Sequence, residues 1–355
     1  MHNYTQKSSS KSTQKTAAIV GARGYAGLEL ARLILHHSKV QLTHCFATSD
    51  FSLSKYISHP LAQAVRCLPE SEIEKHFTDF IFLATPADVS MQLTAPLLQQ
   101  GRTVIDLSGA FRLIKNDYQK WYGFQHQQND LLKISTYGLA PWVGPYTQSQ
   151  KLIANPGCYA TAVSLALIPL LKKELIDENS IVIDAKSGTS GAGKKLSENM
   201  LFTEVAEECL PYKVGEHQHL PEIQEAVEQF SGKKINPHFT TSLLPIRRGI
   251  IAGIYANLTA QAEEKDIHAA LCDAYADNVL FEIANIADQP QWLSLKKVVG
   301  TAKTHISFKV VDKKVYIFST IDNLLKGAAS QAIENLNRIL DLPSHESLSY
   351  LEARL

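Results

Sequence analysis

The sequence predicts an α/β protein built on a doubly wound parallel sheet and divided into two domains rather than one. Three observations lead there. A short apolar strand near the start runs straight into a glycine turn and then a helix. Strands and helices alternate as βαβ…βαβ through the first third of the chain. The chain has 355 residues, 45% of them hydrophobic, enough to bury a large core.

Residues 16–20 read as the first strand. The turn Gly21-Ala22-Arg23-Gly24-Tyr25-Ala26-Gly27 comes next, then apolar positions at helical spacing up to Leu35. In this GxxGxxG spacing Gly21 makes the bend, Gly24 lets the backbone approach a pyrophosphate, and Gly27 lets the helix lie close on the sheet. The phosphates would rest on the helix N-terminus. A plain βα turn is the competing reading; strand and helix in the right places favour a dinucleotide. Residues 40–47, 79–84 and 103–107 read as further strands, with a helix over 87–99. Ligands of such sheets sit at the carboxyl ends of the strands, so Ala84-Thr85-Pro86 and Asp106-Leu107-Ser108-Gly109 should line the cleft. The second strand ends at Thr48-Ser49-Asp50, which leaves two choices open. Either Asp50 holds the ribose hydroxyls of NAD, or Ser49 and Lys55 accept the 2′-phosphate of NADP.

The run Asn155-Pro156-Gly157-Cys158-Tyr159 carries the clearest chemical signal. Residues 152–154 read as a short buried strand and residues 161–171 as an apolar helix, so Cys158 falls near a helix start after a Pro-Gly corner. Free backbone N–H groups and the positive end of the helix dipole favour a thiolate there. They can lower a thiol pKa from about 8.5 toward roughly 3.5–7.5. Most isolated cysteines are buried and inert; the corner argues instead for a nucleophile.

Further along, residues 180–186 read as a β-branched strand entering the loop Ser187-Gly188-Thr189-Ser190-Gly191-Ala192-Gly193-Lys194, whose free N–H groups suit an anion, although its composition also suits a flexible connector. His217 and His219 flank Gln218. With no third ligand at suitable spacing, one of them reads as proton donor and acceptor for a thiolate rather than as a metal ligand, and Glu222 is placed to orient it. Arg112 follows a strand end and can reach the cleft with a guanidinium that grips phosphate or carboxylate, a surface salt bridge being the alternative. Arg247-Arg248 is a second cationic pair of the same ambiguity. A helix is expected to open at Asp322-Asn323 and run to Leu340.

Formal net charge is zero and no basic stripe interleaved with aromatics occurs, which argues against nucleic acid. The cysteines at 45, 67, 158, 209 and 272 are widely spaced with no C-x-x-C pair, as expected of a reducing compartment. Apolar runs fall short of the roughly 20 residues of a membrane span. A cytoplasmic protein with no membrane partner is the expectation. Residues 1–15, rich in Ser, Lys, Thr and Gln, read as a disordered tail.

Taken in order, GARGYAGLEL, DLSGAFRL, YGLAPW, IANPGCYATA, DAKSGTSGAGKK, EHQHLPEI, LLPIRRGI and IDNLLKGAASQAIEN resemble the N-acetyl-gamma-glutamyl-phosphate reductases, over nearly the whole chain. The resemblance implies a Rossmann-type doubly wound parallel sheet plus an inserted α+β catalytic and dimerisation domain, as in the related aspartate-semialdehyde dehydrogenases. It places the NADP-binding domain at 16–157 and 322–355 and the catalytic and oligomerisation domain at 158–321. By the same carry-over Cys158 is the nucleophile and the acid/base lies in His217/His219, with His219 favoured and Glu222 beside it. Substrate contacts fall at Ser108, Arg112, Asn155 and Gly188. Cofactor contacts fall at Gly21, Arg23, Gly24, Tyr25, Ala26, Gly27, Ser49, Thr85, Pro86, Ser187, Gly191 and Asn323. The implied reaction is NADPH-dependent reduction of an acyl phosphate through a cysteine thioester, in a homodimer or homotetramer. Three positions depart from the pattern. Gln218 stands where arginine is usual, Arg23 where a small or hydroxyl residue is commoner, and Thr301-Ala302-Lys303 where an Asn-aromatic pair is usual. A catalytically silent dinucleotide sensor is the rival reading, but it has no need of Cys158 at a helix start.

Overall fold

The computed structural model describes residues 14–114, 117–194, 197–288 and 293–351. Most of the N-terminal tail lies outside the described residues, and its last residue already belongs to a strand. The first half alternates strand and helix: β1 (Lys15–Val20), α1 (Tyr25–Leu35), β2 (Val40–Ala47), β3 (Arg66–Pro69), β4 (Phe80–Leu83), α2 (Ala87–Gln99) and β5 (Thr103–Asp106). Two short helices, α3 (Tyr118–Tyr122) and α4 (Asn129–Ile134), then precede β6 (Thr136–Tyr137) and β7 (Leu152–Ala154). These strands form one sheet in the order β3-β2-β1-β4-β5-β7-β6, parallel at every pairing. Apolar clusters cover both faces, which is why β1 and β4 read as continuous apolar runs rather than alternating ones. Strand order reverses at β1, so the crevice opens at the carboxyl ends of β1 and β4.

The chain then enters α5 (Cys158–Lys172) and builds a second, mixed sheet from β8 (Val182–Gly188), β9 (Leu210–Pro211), β10 (His238–Leu244), β11 (Ile250–Asn257), β12 (Phe281–Asn285), β13 (Thr304–Val311) and β14 (Lys314–Ile321). Their order is β12-β13-β14-β11-β8-β10-β9. Between them lie α6 (Phe202–Val205), α7 (His219–Ser231) and α8 (Glu264–Tyr275). Helices α5, α7 and α8 share one core with β8, β11, β13 and β14. Among the described residues no helix is long and apolar enough to cross a membrane.

After β14 the chain returns to the first sheet, where Leu325, Ala329, Ala332, Ile333 and Leu336 join the α1 core. The helix expected from Asp322 opens with a π-helical turn (Leu325–Ala329) that leads into α9 (Ser330–Ile339). Asp322 caps that start. Its Oδ1 accepts the N–H groups of Leu324 and Leu325 at 2.8 and 3.1 Å and also binds Arg248, so this side chain occupies the N–H groups of the helix start. Arg248 reaches on to Glu29 of α1 at 2.6 Å, tying the second sheet to the first. The returning segment also carries a fully buried ion pair: Lys326 Nζ lies 2.7 and 2.8 Å from the two carboxylate oxygens of Glu334.

Lys326→Met should lower stability by about 3–5 kcal/mol because it strands a buried carboxylate. Lys326→Met/Glu334→Leu should recover most of that loss, as read from urea midpoints at constant slope.

Candidate active site

Cys158 is the first residue of α5, and its neighbour Gly157 is the N-cap, with no side chain capping the helix. The turn that delivers it is held by a buried carboxylate. Glu222 Oε1 accepts the Gly157 N–H at 2.7 Å and the Tyr137 hydroxyl at 2.9 Å. Its Oε2 lies 3.6 Å from Arg112 Nη1 and 3.9 Å from His219 Nε2. Gly157 is required here by close approach rather than by its backbone angles. A Cβ would lie 2.3 Å from His219 Nε2 and 2.8 Å from Arg112 Nη1. The imidazole and the guanidinium therefore close on the residue just before the thiol.

The geometry shows how four of the expected site residues are engaged. Glu222 does not hydrogen-bond His219; it fastens the turn, because the Gly157 N–H and the Tyr137 hydroxyl take its Oε1. Arg112 is not a free fork for phosphate: Nε donates to Asn155 O at 2.8 Å and Nη2 to Leu107 O at 2.6 Å, leaving Nη1 beside Glu222. Asn155 is fully buried; its Nδ2 donates to Ala328 O at 3.1 Å and its Oδ1 accepts from Asn335 at 3.2 Å, so it joins the turn to the C-terminal segment. Ser108 is likewise engaged locally, its hydroxyl and N–H both donating to Asp106 at 2.8 and 3.0 Å.

The thiol departs from expectation too. Burial pushes Cys158 up to about 11, while the Arg112 guanidinium and the N–H groups of Tyr159 and Cys158 pull the other way. Desolvation outweighs the helix terminus, and Cys158 rests as a thiol.

His217 and His219 are both buried, with ring centroids 4.8 Å apart. His217 Nδ1 accepts the His219 N–H at 3.1 Å, and its ring is boxed edge-on by Tyr159, Tyr212 and Phe239. Burial and then Lys213 push His217 down to about 3. Burial, with His217, Arg112 and Lys213 behind it, holds His219 well below the ordinary histidine range. Both rings are neutral at pH 7. Lys213 and the tyrosines escaped the sequence reading. Lys213 Nζ donates to Gln218 Oε1 at 2.7 Å from a left-handed backbone, φ 46°, and Tyr212 donates to the Tyr159 hydroxyl at 3.0 Å. A lysine four positions before His217 was the one available signal.

On the nucleotide side, Gly21 has φ 78° and a Cβ there would lie 2.4 Å from Ala84 O, while one on Gly27 would lie 2.5 Å from Gly21 O. Only glycines allow this β1–α1 turn, and α1 starts at Tyr25 and Ala26 with its N-terminus free of any side-chain cap. Exposed Arg23 places Nη1 on Ser49 Oγ at the end of β2. Thr85 bonds Ser90 at 2.8 Å, and Pro86 is the N-cap of α2. This set fits a dinucleotide. In the facing loop Ser187 and Gly188 end β8, and Gly188 abuts the Arg247–Arg248 backbone. Gly191 is exposed, in a 3₁₀ turn (Thr189–Ala192). Asn323 is buried and braces the loop, donating to Ser190 Oγ at 3.0 Å and accepting from Gly249 N at 2.8 Å. Between turn and loop lies a cleft of ≈ 810 Å³ lined by Tyr25, Ser190, Lys194, Phe202 and Arg247, within the usual size of a ligand site.

A glycine turn that fits a nucleotide, together with a cysteine at a helix start whose preceding residue is closed in by a neutral imidazole and a guanidinium, defines an enzyme of the semialdehyde dehydrogenase class. Two family descriptions match the chain: "Semialdehyde dehydrogenase, NAD binding domain" over residues 16–149 and "Semialdehyde dehydrogenase, dimerisation domain" over 158–323. An N-acetyl-gamma-glutamyl-phosphate reductase of Campylobacter jejuni subsp. doylei is 38% identical over 336 residues, 94% of this chain and 97% of the relative. That of Bacillus cytotoxicus is 37% identical over 341 residues, 94% and 98% of the two chains. The chain belongs to the N-acetyl-gamma-glutamyl-phosphate reductase family. Aspartate semialdehyde dehydrogenase II from Vibrio cholerae shares the fold, with TM-score 0.71 at 17% identity over 93% of this chain and 99% of that one.

Alkylation of Cys158 in the free enzyme should be slow at neutral pH and rise about tenfold per pH unit toward a midpoint near 11. Arg112→Met should move the midpoint higher, since it removes a charge that favours thiolate. Gly157→Ala should cost roughly 100-fold in turnover through displacement of His219 and Arg112, with the circular dichroism spectrum retained.

Proposed function

We infer that this protein reduces N-acetyl-L-glutamyl 5-phosphate to N-acetyl-L-glutamate 5-semialdehyde, a step of arginine biosynthesis, with NADP as its nicotinamide cofactor. The observation that carries the reading is Cys158 at the first residue of α5, directly after the Gly157 on which His219 and Arg112 close.

His219, neutral and beside the turn, takes the proton of the Cys158 thiol as substrate arrives; the incoming phosphate dianion favours the resulting imidazolium. The thiolate attacks the acyl carbon, the carbon–oxygen bond to phosphate breaks, and a thioester forms on Cys158. The proton held by His219 passes to the departing phosphate. A reduced nicotinamide, when bound, supplies hydride to the thioester carbonyl. N–H groups at the α5 terminus steady the oxyanion, a contribution of about 3–4 kcal/mol where comparable donors have been removed. Collapse then expels the Cys158 sulfur and frees the semialdehyde. His217 fixes the start of α7, and so His219, through the hydrogen bond to its Nδ1.

With Arg112 committed to backbone carbonyls, Lys213 is the better holder of phosphate. Its exposed ammonium is steered by the neutral Gln218 and acts on both histidines. For the cofactor, the exposed Arg23–Ser49 pair supports a 2′-phosphate and favours NADP over the NAD arrangement built on Asp50. Self-association is proposed through the second sheet, the part matching a dimerisation domain, whose Val182 and Tyr316 are 39% and 36% exposed.

Cys158→Ala should abolish turnover and leave NADPH binding near normal; retained turnover defeats the covalent scheme. Arg23→Ala should lower kcat/KM for NADPH by about tenfold or more, the worth of a charge-assisted hydrogen bond, and leave NADH unaffected. An equal loss with both cofactors contradicts the 2′-phosphate assignment. Run in the oxidative direction, where phosphate and semialdehyde are separate substrates, Lys213→Met should raise KM for phosphate alone.

A further inference from the structure

Cys45 and Cys67 face each other across β2 and β3. They are direct partners in the parallel ladder, and both pack on the same apolar cluster on the α1 face of the sheet. Neighbouring strands run about 4.8 Å apart, inside the roughly 4.4–6.8 Å Cα separation that a disulfide spans. The Cys67 thiol donates to Val65 O at 3.8 Å. The Cys67 sulfur beside it and burial push the Cys45 thiol well up, whereas the neighbouring Cys45 thiol, opposed by burial, brings Cys67 down to about 7. Cys45 is fully buried; Cys67 remains partly accessible.

Leu53, buried in the same apolar cluster, gives the pair its reach. Leu53 opens the 3₁₀ turn (Leu53–Lys55) on the loop that leaves β2 through Ser49, the residue Arg23 contacts. A change at the Cys67 sulfur is therefore felt where the ribose end of the cofactor would rest.

We propose that Cys67 and Cys45 form a peroxide-sensitive dithiol whose closure to a disulfide weakens cofactor binding. The Cys67 thiolate attacks one oxygen of hydrogen peroxide, the O–O bond breaks, and a sulfenic acid forms as hydroxide leaves and takes up a proton. The Cys45 sulfur then attacks the Cys67 sulfur, its own proton leaving with the displaced hydroxide as a second water. Two thiols are oxidised by two electrons and one peroxide is reduced to two waters. Drawing the two sulfurs into a bond changes the packing against buried Leu53, which loosens the turn. A thiol titrating near neutrality reacts ahead of one raised by burial, so Cys67 precedes Cys158.

The binding readout rests on the cofactor reading above, while formation of the cross-link does not. The experiment treats the full-length Cys158→Ser protein with equimolar hydrogen peroxide, maps disulfides by peptide mass spectrometry, and titrates NADPH by fluorescence. Expected are a Cys45–Cys67 peptide that dithiothreitol removes, and a Kd for NADPH about threefold or more weaker in the cross-linked protein. Adding Cys67→Ser should abolish both effects. Absence of the cross-link, its formation with an unchanged Kd, or oxidation confined to Cys209 overturns the proposal. Failure of the reduced protein to bind NADPH overturns the cofactor reading instead.

Discussion

One buried carboxylate holds the working parts of this molecule together. Glu222 sits on α7, in the second half of the chain, yet its partners are Tyr137, Arg112 and Gly157 of the first sheet and its turns. A carboxylate taken out of water is tolerable only where hydrogen bonds and an opposite charge surround it. Burial pushes the Glu222 carboxyl up, and Arg112, the Gly157 N–H and Tyr137 oppose that rise. Satisfying this one group brings the cysteine turn, the guanidinium and the start of α7 to a common point. His219, three residues before Glu222 on the same helix, is carried there with it.

The same crowding accounts for the resting state of the thiol. A helix terminus and a guanidinium both favour thiolate, but neither replaces the water that packing removes, and the balance falls on the protonated side. The low histidine values have the same origin. A neutral thiol has little nucleophilic strength. In the proposed mechanism the charge that favours the thiolate–imidazolium pair arrives with the acyl phosphate.

Much of the first half was legible because a doubly buried parallel sheet writes itself as apolar runs separated by glycine and helical spacing. The expected bounds of β2 and α2 match the structure, and those of β1, β4 and β5 differ by one residue at most at either end. Cys158 at a helix start was readable from Pro156-Gly157. Most strands of the second sheet, β9 to β14, gave no clear signal, since antiparallel ladders with one covered face depend on partners far away in sequence. The partners of several side chains were not legible for a related reason. Arg112, Asn155 and Asn323 are polar residues near a cleft, and sequence cannot tell a group aimed at a ligand from one consumed by a neighbouring carbonyl. Their partners Leu107, Ala328 and Gly249 offer backbone atoms, which leave no mark in the residue string.

The C-terminal return shows how far the site depends on remote chain. Gly327 lies in the π-helical turn, and a Cβ on it would sit 2.7 Å from the Cβ of Cys158, so the segment after the second sheet packs directly against the nucleophile. Asp322 caps the first N–H groups of this segment and binds Arg248, which also grips Glu29. The wider turn beyond Asp322 sets Gly327 against Cys158 while Ala328 offers its carbonyl to Asn155. π-helical turns are frequent at functional sites because one extra residue re-aims the helix beyond it. In this protein the turn lets one segment close the nucleotide core through α9 and, in the same five residues, form the wall behind the reacting sulfur.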